Sequence, residues 1–235
     1  MLRSIVRSLS NYFYPNYRDD NSIFYDWVRE SIEPDSVILD LGAGAGIKCP
    51  YDFAKRCRKV IGIDMDPRVM SNPNLTESVC ADFYNNGFED NYFDIIFANN
   101  VVEHIKDPEV FLYEVRRILK PSGYFFFKTP NRWHYVPMVA RITPYWFHVF
   151  YCWLRGRATE DTFPTHYRMN SHSNIRKLSE LLNFDFEIRM FEARPEYLIF
   201  DPITFLMGVG YERLVNRFDF LSRFKVVMMV KMRFR

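Results

Sequence analysis

The stretch VILDLGAGAGIK, residues 37–48, decides how the rest of the chain is read. Its apolar run carries one acid, Asp40, and ends at Gly42, Gly44 and Gly46. A continuous apolar run bounded by glycine reads as a strand buried on both faces, as at the centre of a parallel sheet. Glycines at alternate positions give the following loop backbone freedom and let a ligand approach closely.

Working outward, the same strand signal recurs at 59–66 (KVIGIDMD), 77–83 (ESVCADF), 92–100 (YFDIIFANN) and 124–130 (YFFFKTP). The spacing predicts a first helix over 45–58. A second begins after Asp107, a good N-cap, with Pro108 at the first helical position and Glu109 in the first turn. Its residues Phe111, Leu112, Val115, Ile118 and Leu119 repeat at helical spacing, and KPSG (120–123) ends it. Strands alternating with helices imply a parallel sheet with right-handed crossovers, and ligands bind beyond the carboxyl ends of such strands. After Pro130 the pattern breaks. Residues 131–170 are aromatic, proline-rich and basic, too long for an ordinary loop, and are expected to form an inserted cap. A helix at 173–184 and a closing strand pair at 185–193 and 224–234 complete the pattern.

The expected fold is therefore α/β and Rossmann-like. A seven-stranded, mostly parallel sheet carries helices on both faces, an antiparallel closing strand and a helical insert. One domain is expected over 1–235, with N-terminal cap helices (1–34), a cofactor-binding core (35–130), a substrate cap (131–170) and a C-terminal helix with closing strands (171–235).

A glycine loop of this kind suits NAD, a nucleoside triphosphate or S-adenosylmethionine. The dinucleotide fingerprint places its third glycine three residues after the second, whereas Gly44 and Gly46 are two apart. A phosphate-binding P-loop closes with Gly-Lys-Ser/Thr, and Gly46-Ile47-Lys48-Cys49 does not. Acids at successive strand ends discriminate further. Asp64 can accept two ribose hydroxyls, and Asp82 the adenine amino group while Phe83 packs on the purine. Asp40 can pair with an amino group, which S-adenosylmethionine has and the pyrophosphate region of NAD lacks.

With those residues in place, the chain resembles the class I S-adenosylmethionine-dependent methyltransferases. The similarity is to the small-molecule branch that includes ubiquinone and menaquinone biosynthesis enzymes (methyltransferase type 11). The segments that carry it are VILDLGAGAG, VIGIDMDP and ADFYNNGFEDNYFDIIFANNVVEHIKDPEVFLYEVRRILKPSGYFFFKTPN. The resemblance implies that Gly42, Gly44 and Gly46 line the methionine end, that Asp64, with Met65 beside it, binds the ribose, and that Asp82 and Phe83 hold adenine. Asn99 and Asn100 would approach the methyl donor. The product would be S-adenosylhomocysteine.

Methyl transfer from a sulfonium is an in-line displacement governed by positioning, and a hydroxyl acceptor benefits from a general base. His104, His134 and His166 are the candidates. Some relatives hold a divalent metal with Glu-x-x-Glu-His after the fourth strand. Here Asn100 stands where the first Glu would be, and an amide is a poorer hard-cation ligand, so no metal is expected. The Asn-Pro-Pro-Tyr type of motif of many nucleic-acid and glutamine N-methyltransferases is replaced by Ala98-Asn99-Asn100-Val101.

The acceptor is expected in the cap. Trp133, Tyr135, Trp146 and Arg132, with Tyr14 from the N-terminal segment, are the candidate substrate contacts. Aromatics interleaved with cations suit a flat or amphiphilic acceptor bearing an anionic group. A net charge of +2 does not point to nucleic acid. The four cysteines lack zinc-knuckle or redox spacing, which fits a cytoplasmic protein, and no run reaches the ~18–20 apolar residues of a membrane span. The acid-free start, MLRSIVRSLSNYFYPNYR (1–18), has the pattern of either a packed cap helix or a membrane-surface helix. A peripheral membrane contact and a homodimer are thus left open.

Overall fold

The computed structural model describes residues 2–47, 51–143 and 164–235. Seven strands form one sheet in the order β3-β2-β1-β4-β5-β7-β6. They are β1 (Val37–Leu41), β2 (Lys59–Asp64), β3 (Glu77–Cys80), β4 (Phe93–Asn99), β5 (Leu119–Pro130), β6 (Phe184–Phe191) and β7 (Val227–Phe234). Pairings among β1 to β5 are parallel, and β7 runs antiparallel to both β5 and β6. The order switches at β1, which pairs Asp40 with Gly62 of β2 on one side and with Phe97 of β4 on the other. In such sheets ligands bind beyond the carboxyl ends of the strands at this switch in order.

Alternation along the strands divides the core. Leu39 and Leu41 join Ile61, Ile96 and Phe127 in one cluster, closed by α3 (Pro108–Ile118) and α5 (His172–Leu182). Ile38 joins Val60, Ile95, Phe97 and Phe126 in the other, closed by α2 (Asp20–Arg29) through Phe24, Trp27 and Val28. Each fully buried large side chain contributes roughly 1.5–3 kcal/mol. In α3, Asp107 accepts the Val110 N–H at 3.3 Å, and Phe111, Leu112, Val115 and Ile118 make the buried stripe that the spacing predicts. Helix α1 (Leu2–Phe13) lays Val6, Leu9 and Phe13 against Phe205 and Val209 of α6 (Pro202–Arg217). Among the described residues no helix is long and apolar enough to cross a membrane.

One expected element is absent. The helix predicted over 45–58 is not formed: turns run to Ile47, and a single 3-10 turn spans Phe53–Lys55. Gly44 and Gly46 adopt left-handed φ values of 49° and 67°. The sheet face that such a helix would cover is filled by Tyr51 and Phe53, whose rings lie 5.4 and 5.5 Å from Phe97. Beyond β5, α4 (Tyr135–Ile142) opens the insert; residues 144–163 of the expected cap, Trp146 among them, lie outside the described residues.

Candidate active site

The loop after β1 is shaped by its own glycines and pinned by two asparagines. Gly42 has φ 76°, and a Cβ there would lie 2.4 Å from Val101 Cγ2. At Gly46 a Cβ would lie 2.0 Å from Asn72 Oδ1. Asn72 Nδ2 donates to the carbonyls of Ala43 and Gly44 at 3.0 and 3.2 Å, and Asn74 Nδ2 to that of Gly46 at 2.8 Å. At Gly44, by contrast, the nearest atom to an added Cβ is Asp64 Oδ2 at 3.8 Å.

Asp64 closes β2 and fastens this loop as well. Its Oδ2 accepts the Gly44 N–H and its Oδ1 the Asp66 N–H, both at 2.8 Å. Two carboxylate oxygens offer about four acceptor sites, so both retain capacity for ligand hydroxyls. Met65, the next residue, is 68% exposed, and Ile47 in the glycine loop is 77% exposed. Asp82 caps the turn after β3 by accepting the Tyr84 N–H at 3.0 Å. Phe83 is half-buried, its ring 5.4 Å from Phe111.

Asp40 is buried on the α2 face, where Tyr51 donates to its Oδ2 at 2.5 Å. Burial pushes the Asp40 carboxyl up to about 7 against the opposing effect of the Tyr51 hydrogen bond. Asn99, at the end of β4, donates its amide to Asn21 Oδ1 at 2.9 Å and to the Tyr25 hydroxyl at 2.8 Å. Its own Oδ1 is buried and has no donor among the described residues. Since the Tyr25 ring lies 5.2 Å from that of Tyr51, Asn99 and Asp40 are linked through the two tyrosines.

Sequence reasoning missed the partners that hold this end together. Lys128 of β5 is 1% exposed, and its ammonium contacts Asp20 at 2.6 Å and Asn21 Oδ1 at 2.5 Å. A buried ammonium is tolerated only with such partners, so the N-terminus of α2 is clamped to the ends of β4 and β5. The available signal was a lone lysine in the apolar run YFFFKTP. Nothing in the sequence marks Tyr51, Asn72 or Asn21.

The three histidines have different surroundings. His104 Nδ1 lies 2.9 Å from the Pro164 carbonyl. A carbonyl only accepts, so Nδ1 carries hydrogen and the neutral ring presents its lone pair at Nε2. His166 is exposed and bonds through its backbone N–H to the Glu103 carbonyl at 2.7 Å. His134 is buried elsewhere: its Nδ1 accepts the Val136 N–H and caps α4, while Tyr135, Tyr211 and Tyr197 surround the ring at 4.1, 5.8 and 6.2 Å. Its Nε2 stands 3.7 Å from Glu192 Oε1, too far for a hydrogen bond. Beside His104, Glu103 is buried and accepts the Thr129 hydroxyl at 2.9 Å, and burial raises its carboxyl above the ordinary range.

The expected acceptor contacts do not form one group. Tyr14 donates to Glu212 at 3.2 Å in the joint between α1 and α6. Tyr135 packs on Tyr211 at 5.0 Å. Arg132 lies over the Trp133 ring, 5.6 Å from its centroid. Trp133 in turn borders a cavity of about 700 Å³ with Asn131, His172, Arg176, Met190 and Phe224, large enough for a small molecule. No group of three or more His, Cys, Asp or Glu side chains is gathered among the described residues.

Comparison with known proteins agrees with this geometry. Residues 39–127 match the family model described as a methyltransferase domain. The chain is 31% identical over 150 residues to a ubiquinone biosynthesis O-methyltransferase of Rhodopseudomonas palustris, covering 60% of this chain and 57% of that one. It is 29% identical over 134 residues to a sarcosine/dimethylglycine N-methyltransferase of Halorhodospira halochloris, covering 48% of each. The chain thus spans about half the length of these curated relatives. A structure described as a SAM-dependent methyltransferase from Archaeoglobus fulgidus has the same fold, with a TM-score of 0.53 at 19% identity over 94% of this chain and 96% of that one.

Proposed function

We propose that this chain, whose residues 39–127 match a methyltransferase domain, is a class I enzyme that methylates an oxygen of a small or amphiphilic acceptor using S-adenosylmethionine. The observation that carries the reading is the pair of buried acceptors at the switch point. Among the described residues Asn99 Oδ1 has no donor, and the Asp40 carboxylate has Tyr51 as its one side-chain donor. An ammonium group supplies the donors that both require, and a desolvated carboxylate favours a cation over a neutral ligand. Asp64 would hold the ribose, Asp82 with Phe83 the adenine, and Met65 with Ile47 would cover it.

S-adenosylmethionine supplies a methyl group on a positively charged sulfur, open to in-line attack. The chain's part is to orient the acceptor and exclude water. His104, with its lone pair at Nε2, is the proposed base for an acceptor hydroxyl. The test is calorimetric titration with S-adenosylmethionine, followed by an acceptor panel read out as S-adenosylhomocysteine. Saturable binding that Asp64→Ala abolishes supports the proposal; no binding at millimolar cofactor overturns it.

A second reading keeps the chemistry and places it at a membrane surface. Helix α6 turns Ile203, Leu206, Met207 and Leu214 outward, with Ile203 71% exposed, and the exposed Phe218 and Phe220 follow it. Within α1 and α6 the one acid, Glu212, is buried, whereas Arg7, Arg213 and Arg217 are exposed. An apolar stripe flanked by cations suits anionic lipid. Co-sedimentation with anionic vesicles that Ile203→Asp with Met207→Asp eliminates supports it; equal binding by that variant rejects it.

A further inference from the structure

A second cavity, of about 330 Å³, lies beside the loop that carries Glu103 and His104. Arg132, His166, Arg168 and Lys177 line it together with Asn174 and a single carboxylate, Glu109. Neither Arg168 nor Lys177 has an ion-pair partner among the described residues, and both are exposed. The cavity also stands where α3 and α5 begin, since Glu109 is in the first turn of α3 and Asn174 in the first turn of α5. Both helices add positive potential at that end.

These groups are held by a scaffold rather than scattered on a surface. The backbone N–H groups of His166 and Tyr167 both donate to the Glu103 carbonyl, at 2.7 and 3.2 Å. Tyr167 takes a left-handed φ of 51°, costly for a residue with a side chain, and Arg168 follows directly. Asn170, fully buried, then donates to the Thr129 hydroxyl at 2.6 Å and the Pro130 carbonyl at 2.9 Å. Its own carbonyl accepts the Arg132 N–H at 3.0 Å, and the Arg168 carbonyl accepts Asn174 Nδ2 at 2.8 Å. The buried Glu103, Thr129 and Asn170 thus bind the strap 166–170 to β5 and bring Arg168 beside Arg132.

We infer that this cavity binds a phosphate group, with Arg168 and Lys177 as its charge contacts and Arg132 as its wall. Among the described lining residues the unpaired Arg168 and Lys177 outnumber the one carboxylate, Glu109, an excess that suits a phosphate anion, and a guanidinium fork matches phosphate oxygens. Its role as the acceptor's anchoring subsite rests on the methyl-transfer reading. Phosphate binding itself does not.

The test is a titration of the isotopically labelled full chain, followed by amide NMR, in three arms: inorganic phosphate, glycerol 3-phosphate, and phosphatidylcholine vesicles containing phosphatidic acid. Saturable shifts confined to residues near 166–168 and 174–177, with affinity reduced about tenfold or more in R168Q/K177Q, are expected. Response to glycerol 3-phosphate identifies a soluble phosphoester as the source. Response to the vesicles alone identifies a lipid headgroup. No response in any arm, or equal affinity in the double variant, overturns the proposal. Both substituted side chains are exposed, so the variant should melt as wild type does. Its unchanged affinity for S-adenosylmethionine separates loss of this cavity from failure of the methyltransferase reading.

Discussion

Tyr51 donates its phenolic hydrogen to Asp40 Oδ2 across 2.5 Å, joining the strand before the glycine loop to the segment after it. The contact replaces the cover that a regular helix would give β1. It also favours the ionised form of Asp40, against the burial that raises this carboxyl.

The first prediction follows from that carboxylate. Burial raises Asp40 to about 7, well above its unfolded value near 4, so the folded chain holds a proton there that the unfolded chain has lost. Its contribution therefore destabilises the free protein progressively as pH rises from about 4 to 7 and is constant above. A cationic ligand needs the ionised form, so affinity for S-adenosylmethionine should fall by up to about tenfold per unit below pH 7. Calorimetry at pH 6 and 8 checks this. Asp40→Asn should bind weakly at both values while melting no lower than wild type at pH 8.

The three loop glycines should differ in their tolerance of alanine. Gly46→Ala meets Asn72 at 2.0 Å and Gly42→Ala meets Val101 at 2.4 Å, each at positive φ. Roughly 2–4 kcal/mol of stability is at stake in each. Gly44→Ala makes only an ordinary contact, with Asp64 Oδ2 at 3.8 Å, and bears only the backbone cost, about 1–2 kcal/mol. Denaturant midpoints of the three variants give the ranking directly; equal losses would contradict it.

Lys128→Met should loosen α2 more than the sheet. The substitution leaves Asp20 and Asn21 without their buried donor, but the Asp20 side chain is 27% exposed and can rehydrate. The cost should be about 2 kcal/mol, below the range for a fully buried pair. Hydrogen exchange should accelerate in residues 20–29 while β1 and β4 stay protected.

His104 and His134 should separate cleanly. His104→Gln is expected to lower turnover on a hydroxyl acceptor about 10²- to 10⁴-fold without changing cofactor affinity. His134→Gln removes a helix cap inside a tyrosine cluster, so it should lower the melting temperature with a smaller effect on turnover. Kinetics and melting curves on both variants decide; a reversed pattern would reassign the base.

Much of this was legible without coordinates, because the signals were local. Strand ends, the α3 cap at Asp107 and the buried stripe of Phe111, Leu112, Val115 and Ile118 depend on residues a few positions apart. Asp64 stands at the end of β2 and Asp82 follows β3, as the strand pattern predicts. The expected helix over 45–58 is not formed among the described residues, where Gly46 takes a positive φ and Tyr51 and Phe53 pack on Phe97. His134 failed to stand with His104 because its surroundings come from Tyr197, Tyr211 and Glu192, more than fifty residues away in the chain.

By itself the sequence determined a mostly parallel sheet, a glycine loop bounded by Asp40, and carboxylates at successive strand ends, since these follow from continuous apolar runs and from backbone freedom at glycine. The tertiary structure alone decided which side chains complete the crevice. Lys128, Asn21, Asn99, Tyr25 and Tyr51 meet across separations of up to 107 positions, where no periodicity reaches. What brings them together is the cost of burying polar groups, each of which must find its partner wherever packing places one.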